Sequence, residues 1–293
     1  MLLVCAFVGA VLLYGYRIIE QQSYSELDDE SKNLLALFSS SLDGALAKYE
    51  YLPELISNND YLLNALRLSN EEHIQEANQY LEAVASSSAA SDVYLMNKDG
   101  LTIAASNHRL KRSFLGRNFS FRPYFQQALS GKPGKYFALG STSLQRGFFF
   151  SHPVSVQNEL IGVAVVKITL SGLVAQWADR GNQFIVTDDD GVVFLSTVDE
   201  WKFKSIREID PRRMNEIEAG RRYVDQKIQR LNFSQISEPE LSPAIVRAVL
   251  PDGRVNTYLW KTTRSSVAGW DVHALANINS IEGTLRSRFI RPL

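Results

Sequence analysis

Apolar residues recur at intervals of three and four over the first ninety residues, which is the spacing of one face of an α-helix. From 17 to about 59 only Gly44 and Pro53 interrupt this pattern, so one long helix is predicted. A second helical run is predicted from 59 to 90. Within it, residues 69–72 have the form of a capping box with Ser69 as the cap, and we expect the run to break there.

After residue 91 the pattern changes to the alternation of strands separated by Asp-Gly turns. The hairpin 92–106 turns at Asp99-Gly100 and has a copy at 184–197, offset by 91 residues. A third hairpin turns at Asp252-Gly253, and apolar strands at 160–168 and 270–278 close the two halves. This long repeat predicts two α/β modules of one plan, each with a hairpin, helices and three antiparallel strands.

Residues 2–16 are uncharged and apolar, and Arg17 follows them. The run is shorter than the roughly 20 residues of a full membrane span, and it lacks the basic start and the small-residue cleavage site of a signal peptide. We therefore expect part of an uncleaved membrane anchor, with a buried N-terminal helix as the alternative. The last residues, LRSRFIRPL, are basic, and we expect a second membrane segment to begin after them.

Composition narrows the possible functions. The net charge of −1 disfavours a nucleic-acid binder, and the single cysteine, Cys5, excludes an internal disulfide and a site of several thiolates. The four histidines lack metal-ligand spacing, so neither a metal nor another cofactor is expected. Ser141, His152 and Asp188 could be combined into a triad, but no GxSxG turn is present. We expect no enzyme activity from this chain.

Candidate binding chemistry is concentrated between 121 and 167. Arg122 precedes Pro123, a residue favoured in the first turn of a helix, so its guanidinium is predicted at a helix N-terminus, where anions are attracted. Tyr124 follows and offers a phenolic donor. Lys167 interrupts the most apolar strand of the chain, directly after 163–166. Buried cations need an anionic partner, and these residues therefore predict a pocket for a small anion such as a carboxylate.

The turn at 140–143, Gly-Ser-Thr-Ser, adds hydroxyl and backbone N–H groups to this segment. Each feature also has an ordinary structural explanation. Arg122 could form a structural salt bridge, Lys167 could lie at a strand end on the surface, and the turn could simply join two strands. The conjunction of the three features favours the anion pocket.

The phrase RPYFQQALSGKPGKYFALGSTSLQRGFFFSHPV, with GVAVVKI after it, resembles the periplasmic sensor region of DctB-type C4-dicarboxylate sensor histidine kinases. These sensors belong to the wider group of double-Cache, or tandem PAS-like, extracellular sensors. The likeness covers nearly the whole chain, and its most specific parts are RPYF and YFALGSTS. It implies a two-component membrane receptor in the bacterial inner membrane. Its sensor region would lie in the periplasm and bind succinate, fumarate or malate.

The resemblance also implies a role for each residue of the motif. Arg122 would hold one carboxylate and Lys167 the other, because a monocarboxylate would leave one buried cation unpaired at a cost of about 1–3 kcal/mol. Hydroxyl donors and aromatic walls would complete the pocket. The predicted ligand-binding residues are Arg122, Tyr124, Tyr136, Gly140, Ser141, Thr142, Phe149, Ser151 and Lys167.

The fold class implied is α+β, with a long N-terminal helix followed by two tandem PAS-like modules that contain antiparallel sheets. The predicted segments are a partial transmembrane anchor (1–16), the stalk helix with a second helix (17–90), a membrane-distal ligand-binding module (91–170), a connecting helix (171–182), a membrane-proximal module (183–280) and a lead-in to a second transmembrane helix (281–293). A homodimer through the N-terminal helix is expected. The proximal module lacks RPYF, and we expect it to transmit the signal.

An amino-acid chemoreceptor or cyclase sensor of the same group is the competing interpretation. A pocket for amino acids should carry an acid for the ammonium group, typically an Asp on the last strand of the module. Lys167 lies on that strand, which disfavours this alternative. The chain contains no phosphoacceptor motif and no ATP-binding glycine motif, so kinase activity would belong to other parts of the receptor.

Overall fold

The computed structural model describes residues 2–139, 146–178, 183–219, 222–223, 226–235, 244–250, 253–267 and 269–279. Contacts divide the chain into two compact units, each discontinuous in sequence. Unit 1 consists of Met1–Ser41, Val174–Glu208 and Ile228–Leu293. Unit 2 consists of Leu42–Leu173 and Ile209–Lys227. This grouping differs from the linear segments predicted from the sequence. Residues 209–227 fall within the predicted membrane-proximal module, but their contacts group them with unit 2.

Four helices begin the chain. They are α1 (Leu2–Glu50), α2 (Leu52–Ser57), α3 (Asp60–Leu68) and α4 (Glu71–Ser88). Pro53 occupies the first turn of α2, where its missing N–H is not needed. Among the described residues no helix is both long and apolar enough to cross a membrane. The anchor at 1–16 stays a prediction.

The break between α3 and α4 is correctly predicted, but its cap is wrong by one residue. Asn70 caps α4, because its side chain accepts a hydrogen bond from His73 N at 2.9 Å. Ser69 instead ends α3 in the left-handed conformation, with φ 49°. Serine and asparagine both cap helices, and here asparagine takes the N-terminal position. Asn59 caps α3, accepting from Tyr61 N at 3.0 Å.

Unit 2 contains a five-stranded antiparallel sheet in the order β2-β1-β5-β4-β3. Its strands are β1 (Asp92–Asn97), β2 (Thr102–Ala105), β3 (Gly134–Leu139), β4 (Arg146–Val156) and β5 (Glu159–Ile168). The short helix α5 (Pro123–Leu129) shares a buried cluster with one face of the sheet, which includes Val163 and Val165. Gly162 faces the other side, where Leu66 of α3 lies, since strand residues alternate between faces.

Unit 1 contains a six-stranded sheet in the order β10-β11-β12-β13-β6-β7. The strands are β6 (Gln183–Thr187), β7 (Val193–Ser196), β10 (Phe233–Gln235), β11 (Ala244–Val249), β12 (Val255–Arg264) and β13 (Asp271–Asn277). Two-residue strands β8 (Lys204–Ser205) and β9 (Gln229–Arg230) pair in parallel. Helices α6 (Ser171–Ala178) and α7 (Pro211–Ala219) complete the described elements, together with a 3₁₀ turn at Asp199–Trp201. The predicted α+β class is confirmed.

The internal repeat is visible in the turns of the two hairpins. Asn97 Oδ1 accepts from the backbone N–H groups of the second and fourth residues after it, at 3.0 and 2.9 Å. Asp188 Oδ1 makes the equivalent two bonds, also at 3.0 and 2.9 Å. Gly100 and Gly191 both adopt φ 79°, a left-handed conformation that glycine enters without strain.

The ends of the two hairpins match as well. Ser106 Oγ accepts from Val93 N at 2.9 Å, and Thr197 Oγ1 accepts from Phe184 N at 2.9 Å. Each hydroxyl residue lies 91 positions from its counterpart, as does each strand residue. The repeat predicted from the sequence is therefore confirmed in hydrogen bonds as well as in strand order.

A buried histidine lies in the sheet of unit 1. Nδ1 of His273 lies 3.1 Å from the indole nitrogen of Trp260 and 2.8 Å from Thr262 Oγ1, and Nε2 lies 3.1 Å from Thr187 Oγ1. Burial lowers the pKa of His273 to about 4, although the nearby Asp271 carboxylate works in the opposite direction. The ring is therefore neutral at physiological pH.

This histidine should make the stability of unit 1 dependent on pH. Its pKa is lowered in the folded state, so between about pH 6.5 and 4 the unfolded chain binds a proton that the folded chain does not. We expect stability from this group to be complete above pH 7 and reduced by about 2 kcal/mol at pH 5. Denaturant unfolding at several pH values measures the effect.

The matched variant is His273→Gln, which keeps a polar side chain but does not titrate in this range. Its overall stability is expected to be lower, but the part of the pH slope that comes from His273 should be missing. An equal slope in both proteins would show that another group controls the acid sensitivity.

A candidate anion-binding site in unit 2

Four side chains form one row across the sheet of unit 2. Tyr136 on β3 lies opposite Phe149 on β4, and Phe149 lies opposite Lys167 on β5. Lys167 in turn lies opposite Asp92 on β1. Directly paired residues of antiparallel strands project to the same face. We call these four residues the cross-strand row, and its face is the one that packs with α5.

Arg122 lies at the start of α5. Its backbone is extended, with φ −78° and ψ 134°, and Pro123 occupies the first helical turn as the sequence predicts. The carbonyl of Arg122 accepts from Phe125 N at 3.0 Å and thereby closes the first turn. The side chain is only 2% exposed, and its guanidinium lies 5.0 Å from the ring centre of Phe121. A permanent charge is thus held inside the unit.

A pair of tyrosine hydroxyls lies within electrostatic range of this arginine. The Oη atoms of Tyr94 and Tyr124 are 2.7 Å apart, and the Tyr124 ring stacks on Phe149 with 5.1 Å between ring centres. Burial raises the pKa of both hydroxyls well above the ordinary value, although the Arg122 charge opposes the shift. Both therefore stay protonated. One of the two hydroxyl protons forms the hydrogen bond between the tyrosines, so the other hydroxyl proton is left to donate to a further group.

Lys167 is fully buried, with 0% of its side chain exposed. Its Nζ lies 3.0 Å from Oδ2 of Asp92 and 5.3 Å from the ring centre of Phe114. The other oxygen of Asp92 accepts from Asn107 Nδ2 at 2.8 Å. The explanation of Lys167 as a surface residue at a strand end is therefore wrong. The strand continues into the interior, where the cation has a carboxylate partner.

The absence of a side chain at Gly147 makes room for this lysine. A Cβ there would lie 2.9 Å from Cε and 3.0 Å from Cγ of Lys167, so the lysine side chain would have to shift. Gly147 lies two residues before Phe149 on β4, on the same face. The aliphatic stem of Lys167 can therefore cross β4 next to the cross-strand row.

The remaining predicted residues divide into two groups. Ser151 is buried and donates its hydroxyl to the carbonyl of Tyr124 at 2.7 Å, so its observed contact fastens the first turn of α5 to the sheet. Gly140, Ser141 and Thr142 lie outside the described residues. The candidate site therefore lies between α5 and the face of the sheet that β3, β4, β5 and β1 form.

With this geometry established, comparison with known proteins identifies the family. The Cache domain model matches residues 15–277. The chain belongs to the Cache domain family. It is 34% identical to the C4-dicarboxylate transport sensor protein DctB of Pseudomonas aeruginosa over 236 residues, which is 80% of this chain and 39% of that protein. The chain spans less than half the length of the curated relatives it matches.

Two solved structures of sensor or ligand-binding domains share the fold of this chain. The sensor domain of the histidine kinase DctB from V. cholerae is 35% identical, with a TM-score of 0.80, over 87% of this chain and 98% of that chain. The ligand-binding domain of the Campylobacter jejuni chemoreceptor Tlp3 with L-valine is 16% identical, with a TM-score of 0.56, over 90% of this chain and 98% of that chain. The second match shows the fold alone. The resemblance to DctB sensors seen in the sequence is confirmed.

The two units of this Cache domain differ at the position of the ion pair. Asp92 and Lys167 are register partners in unit 2, and Gln183 and Leu275 are partners at the repeated position in unit 1. An offset of 91 residues relates Asp92 to Gln183. Unit 1 therefore has the same strand pairing without the charges.

Several residues at or near the site were not predicted from the sequence. Asp92 contacts the predicted residue Lys167, Tyr94 contacts the predicted residue Tyr124, and Asn107 contacts Asp92. Each of these contacts joins residues that are well separated along the chain. The repeat contained a usable signal for Asp92, because a charged residue stands where the second copy has glutamine. Arg222 was also missed, and its Nε lies 3.4 Å from Oη of Tyr136.

The buried ion pair leads to a stability prediction. Asp92→Asn leaves the buried Lys167 without its carboxylate, and we expect unit 2 to lose about 3 kcal/mol or more. Asp92→Asn combined with Lys167→Met should recover a large part of the loss, because it removes both charges and keeps the volume. Denaturant unfolding of the two variants and the wild type measures the difference.

An exposed pair offers a matched control. Lys98 and Glu159 approach to 3.3 Å, but their side chains are 56% and 74% exposed. Glu159→Gln should therefore change the stability by less than about 1 kcal/mol. If Asp92→Asn were equally harmless, the contact between Asp92 and Lys167 would contribute nothing as an ion pair.

Proposed function

We propose that this Cache domain is the extracytoplasmic sensor region of a membrane two-component receptor, and that unit 2 binds a C4-dicarboxylate. The observation that carries the proposal is the burial of two cations in unit 2: Lys167 lies in the cross-strand row, and Arg122 lies at the start of α5, which packs on the same face of the sheet. Succinate, fumarate and malate each have carboxylates at both ends. Arg122 would bind one carboxylate and Lys167 the other.

The two cations suit different tasks. The planar fork of Arg122 can donate two parallel hydrogen bonds to one carboxylate. Lys167 has three N–H donors, of which one is directed to Asp92, so the ammonium can bind a second carboxylate while it keeps this partner. The spare proton of the Tyr94 and Tyr124 hydroxyls would add a donor near Arg122.

The walls of the pocket would come from aromatic residues. Phe149 and Tyr136 lie side by side in the cross-strand row, and the Tyr124 ring stacks on Phe149. Flat apolar surfaces suit the two central carbons of a C4-dicarboxylate. Ser141 and Thr142 remain predicted hydroxyl donors, Gly140 a predicted backbone contact, and Ser151 a predicted lining residue.

The signalling role is proposed from the relatives. Two of them are named as transport sensor proteins, and one is named as the sensor domain of a histidine kinase. We infer that the sensor region lies in the periplasm and is anchored in the bacterial inner membrane. It would signal as a homodimer, through its N-terminal helix, to a kinase outside this chain. Unit 1, which lacks the charged pair, would transmit the signal.

Amino-acid sensing is a second candidate, because the structure places an acid on the site face. Asp92 could in principle pair with the ammonium group of an amino acid. Both of its oxygens are already engaged, one by Lys167 and the other by Asn107. An incoming ammonium would have to displace one of them and lie next to another cation. This is why the dicarboxylate is the better candidate.

Calorimetric titration of the purified chain tests ligand choice. Succinate, fumarate or malate should bind at least about tenfold more tightly than butyrate, because butyrate cannot form the charge-assisted hydrogen bonds of a second carboxylate. Aspartate should bind more weakly than succinate because its ammonium approaches Lys167. Binding of aspartate with no binding of the three dicarboxylates would reject the proposal in favour of amino-acid sensing.

Substitution of the two cations tests their assignment. Arg122→Ala and Lys167→Met should each weaken succinate binding by about 100-fold, since each removes charge-assisted hydrogen bonds to one carboxylate. Lys167→Met is best made together with Asp92→Asn, so that no unpaired carboxylate remains buried. The measurement is again calorimetric.

Lys132→Ala provides the control for these variants. This residue also carries a positive charge, but it is exposed after the end of α5. Its succinate affinity should equal that of the wild type. Unchanged affinity in Arg122→Ala would mean that the ligand binds elsewhere.

A further inference from the structure

Residues 209–227 come from the second half of the chain but belong to the contacts of unit 2. We call this segment the strap. The chain leaves unit 1 after Glu208 and returns to it at Ile228. The strap contains α7, and two of its apolar side chains, Ile217 and Tyr223, are buried at 5% and 2% exposure. It is therefore anchored by apolar burial in the last turn of α7 and again just after the helix.

The strap places an arginine against the end of the cross-strand row. The guanidinium carbon of Arg222 lies 5.4 Å from the ring centre of Tyr136, and Nε donates to Tyr136 Oη at 3.4 Å. Both contacts are to the same residue, one to the face of the ring and one to its hydroxyl. Tyr136 itself is only 8% exposed, and its ring lies 6.4 Å from that of Tyr124.

We propose that Arg222 is a specificity-determining residue of the site in unit 2, and that it acts on a dianionic ligand through Tyr136. The inference rests on the proposed function. The Tyr136 hydroxyl accepts from Arg222, so its own proton must be donated in another direction. A donor next to a cation is also stronger, because the positive charge polarises the O–H bond.

The charge of Arg222 has a second effect on ligand choice. A cation near the wall of the pocket attracts each negative charge of the ligand, so it favours a dianion over a monoanion of the same length. Arg122 and Lys167 would contact the carboxylates, whereas Arg222 would orient the tyrosine and add to the positive field. The residue is therefore a positioning residue, and its removal should change the selectivity as well as the affinity.

The test compares succinate and butyrate binding by calorimetry in the purified full chain. Arg222→Gln should weaken succinate about tenfold and butyrate about threefold or less, so that the selectivity ratio falls. Arg222→Lys keeps the charge and should restore part of the ratio. Tyr136→Phe should also weaken succinate, and adding Arg222→Gln to it should cost much less than in the wild type, since the two residues act together.

Arg213→Gln is the matched control. Arg213 also lies on the strap, but it pairs with Glu216 on the exposed side of α7 at 2.5 Å. Its replacement should leave succinate affinity and the selectivity ratio unchanged. Thermal unfolding of the ligand-free variants shows whether Arg222→Gln alters the fold.

The outcomes separate this inference from the proposed function. Failure of the wild type to bind succinate, fumarate and malate would overturn both. Normal binding in the wild type with equal affinities in Arg222→Gln and Arg213→Gln would overturn only the role of Arg222. A parallel loss of succinate and butyrate affinity with a lower melting temperature would show a structural role instead. Additive effects of Tyr136→Phe and Arg222→Gln would show that the arginine does not act through the tyrosine.

Discussion

The contact between Lys167 and Asp92 is the constraint on which the arrangement of the site depends. An ammonium with no solvent exposure must have a partner, and the opposite residue of the neighbouring strand supplies it. The surroundings are adapted to this pair. Gly147 leaves space for the lysine stem, and Asn107 holds the second carboxylate oxygen. The charge is thus fixed in position by strand register, which is among the most rigid features of a sheet.

The internal repeat shows that the fold does not need this pair. Gln183 and Leu275 occupy the same register in unit 1, and the strands there pair in the same order. A buried ion pair is also seldom more stabilising than apolar residues of similar volume. Neither the fold nor the free energy of folding requires the charges, and this supports the proposal that they serve ligand binding.

Local patterns predicted much of this molecule. The helix that starts at Pro123, the first two Asp-Gly hairpins and the apolar strand of Lys167 all follow from spacing within a few residues. The contacts that were not predicted join residues that lie far apart in the sequence. Asp92 and Lys167 are separated by 75 positions, and Arg222 by 86 from Tyr136. Nothing in local composition shows which strand a residue will lie against. The shift of the α4 cap from Ser69 to Asn70 has a different origin, because neighbouring residues were both capable of the role.

The ion pair also bears on the choice between the two ligand classes. Under the proposed function, a ligand carboxylate would bind the Lys167 ammonium beside Asp92, which keeps its contact at 3.0 Å. The lysine is then already charged and oriented before the ligand arrives, and little freedom is lost on binding. An amino-acid ammonium would have to pair with Asp92, and it would then lie next to the ammonium of Lys167. Two ammonium groups that share one carboxylate in a buried site repel each other strongly. Although Asp92 is the acid that an amino-acid ammonium would need, its contact with Lys167 therefore favours a dicarboxylate as the proposed ligand.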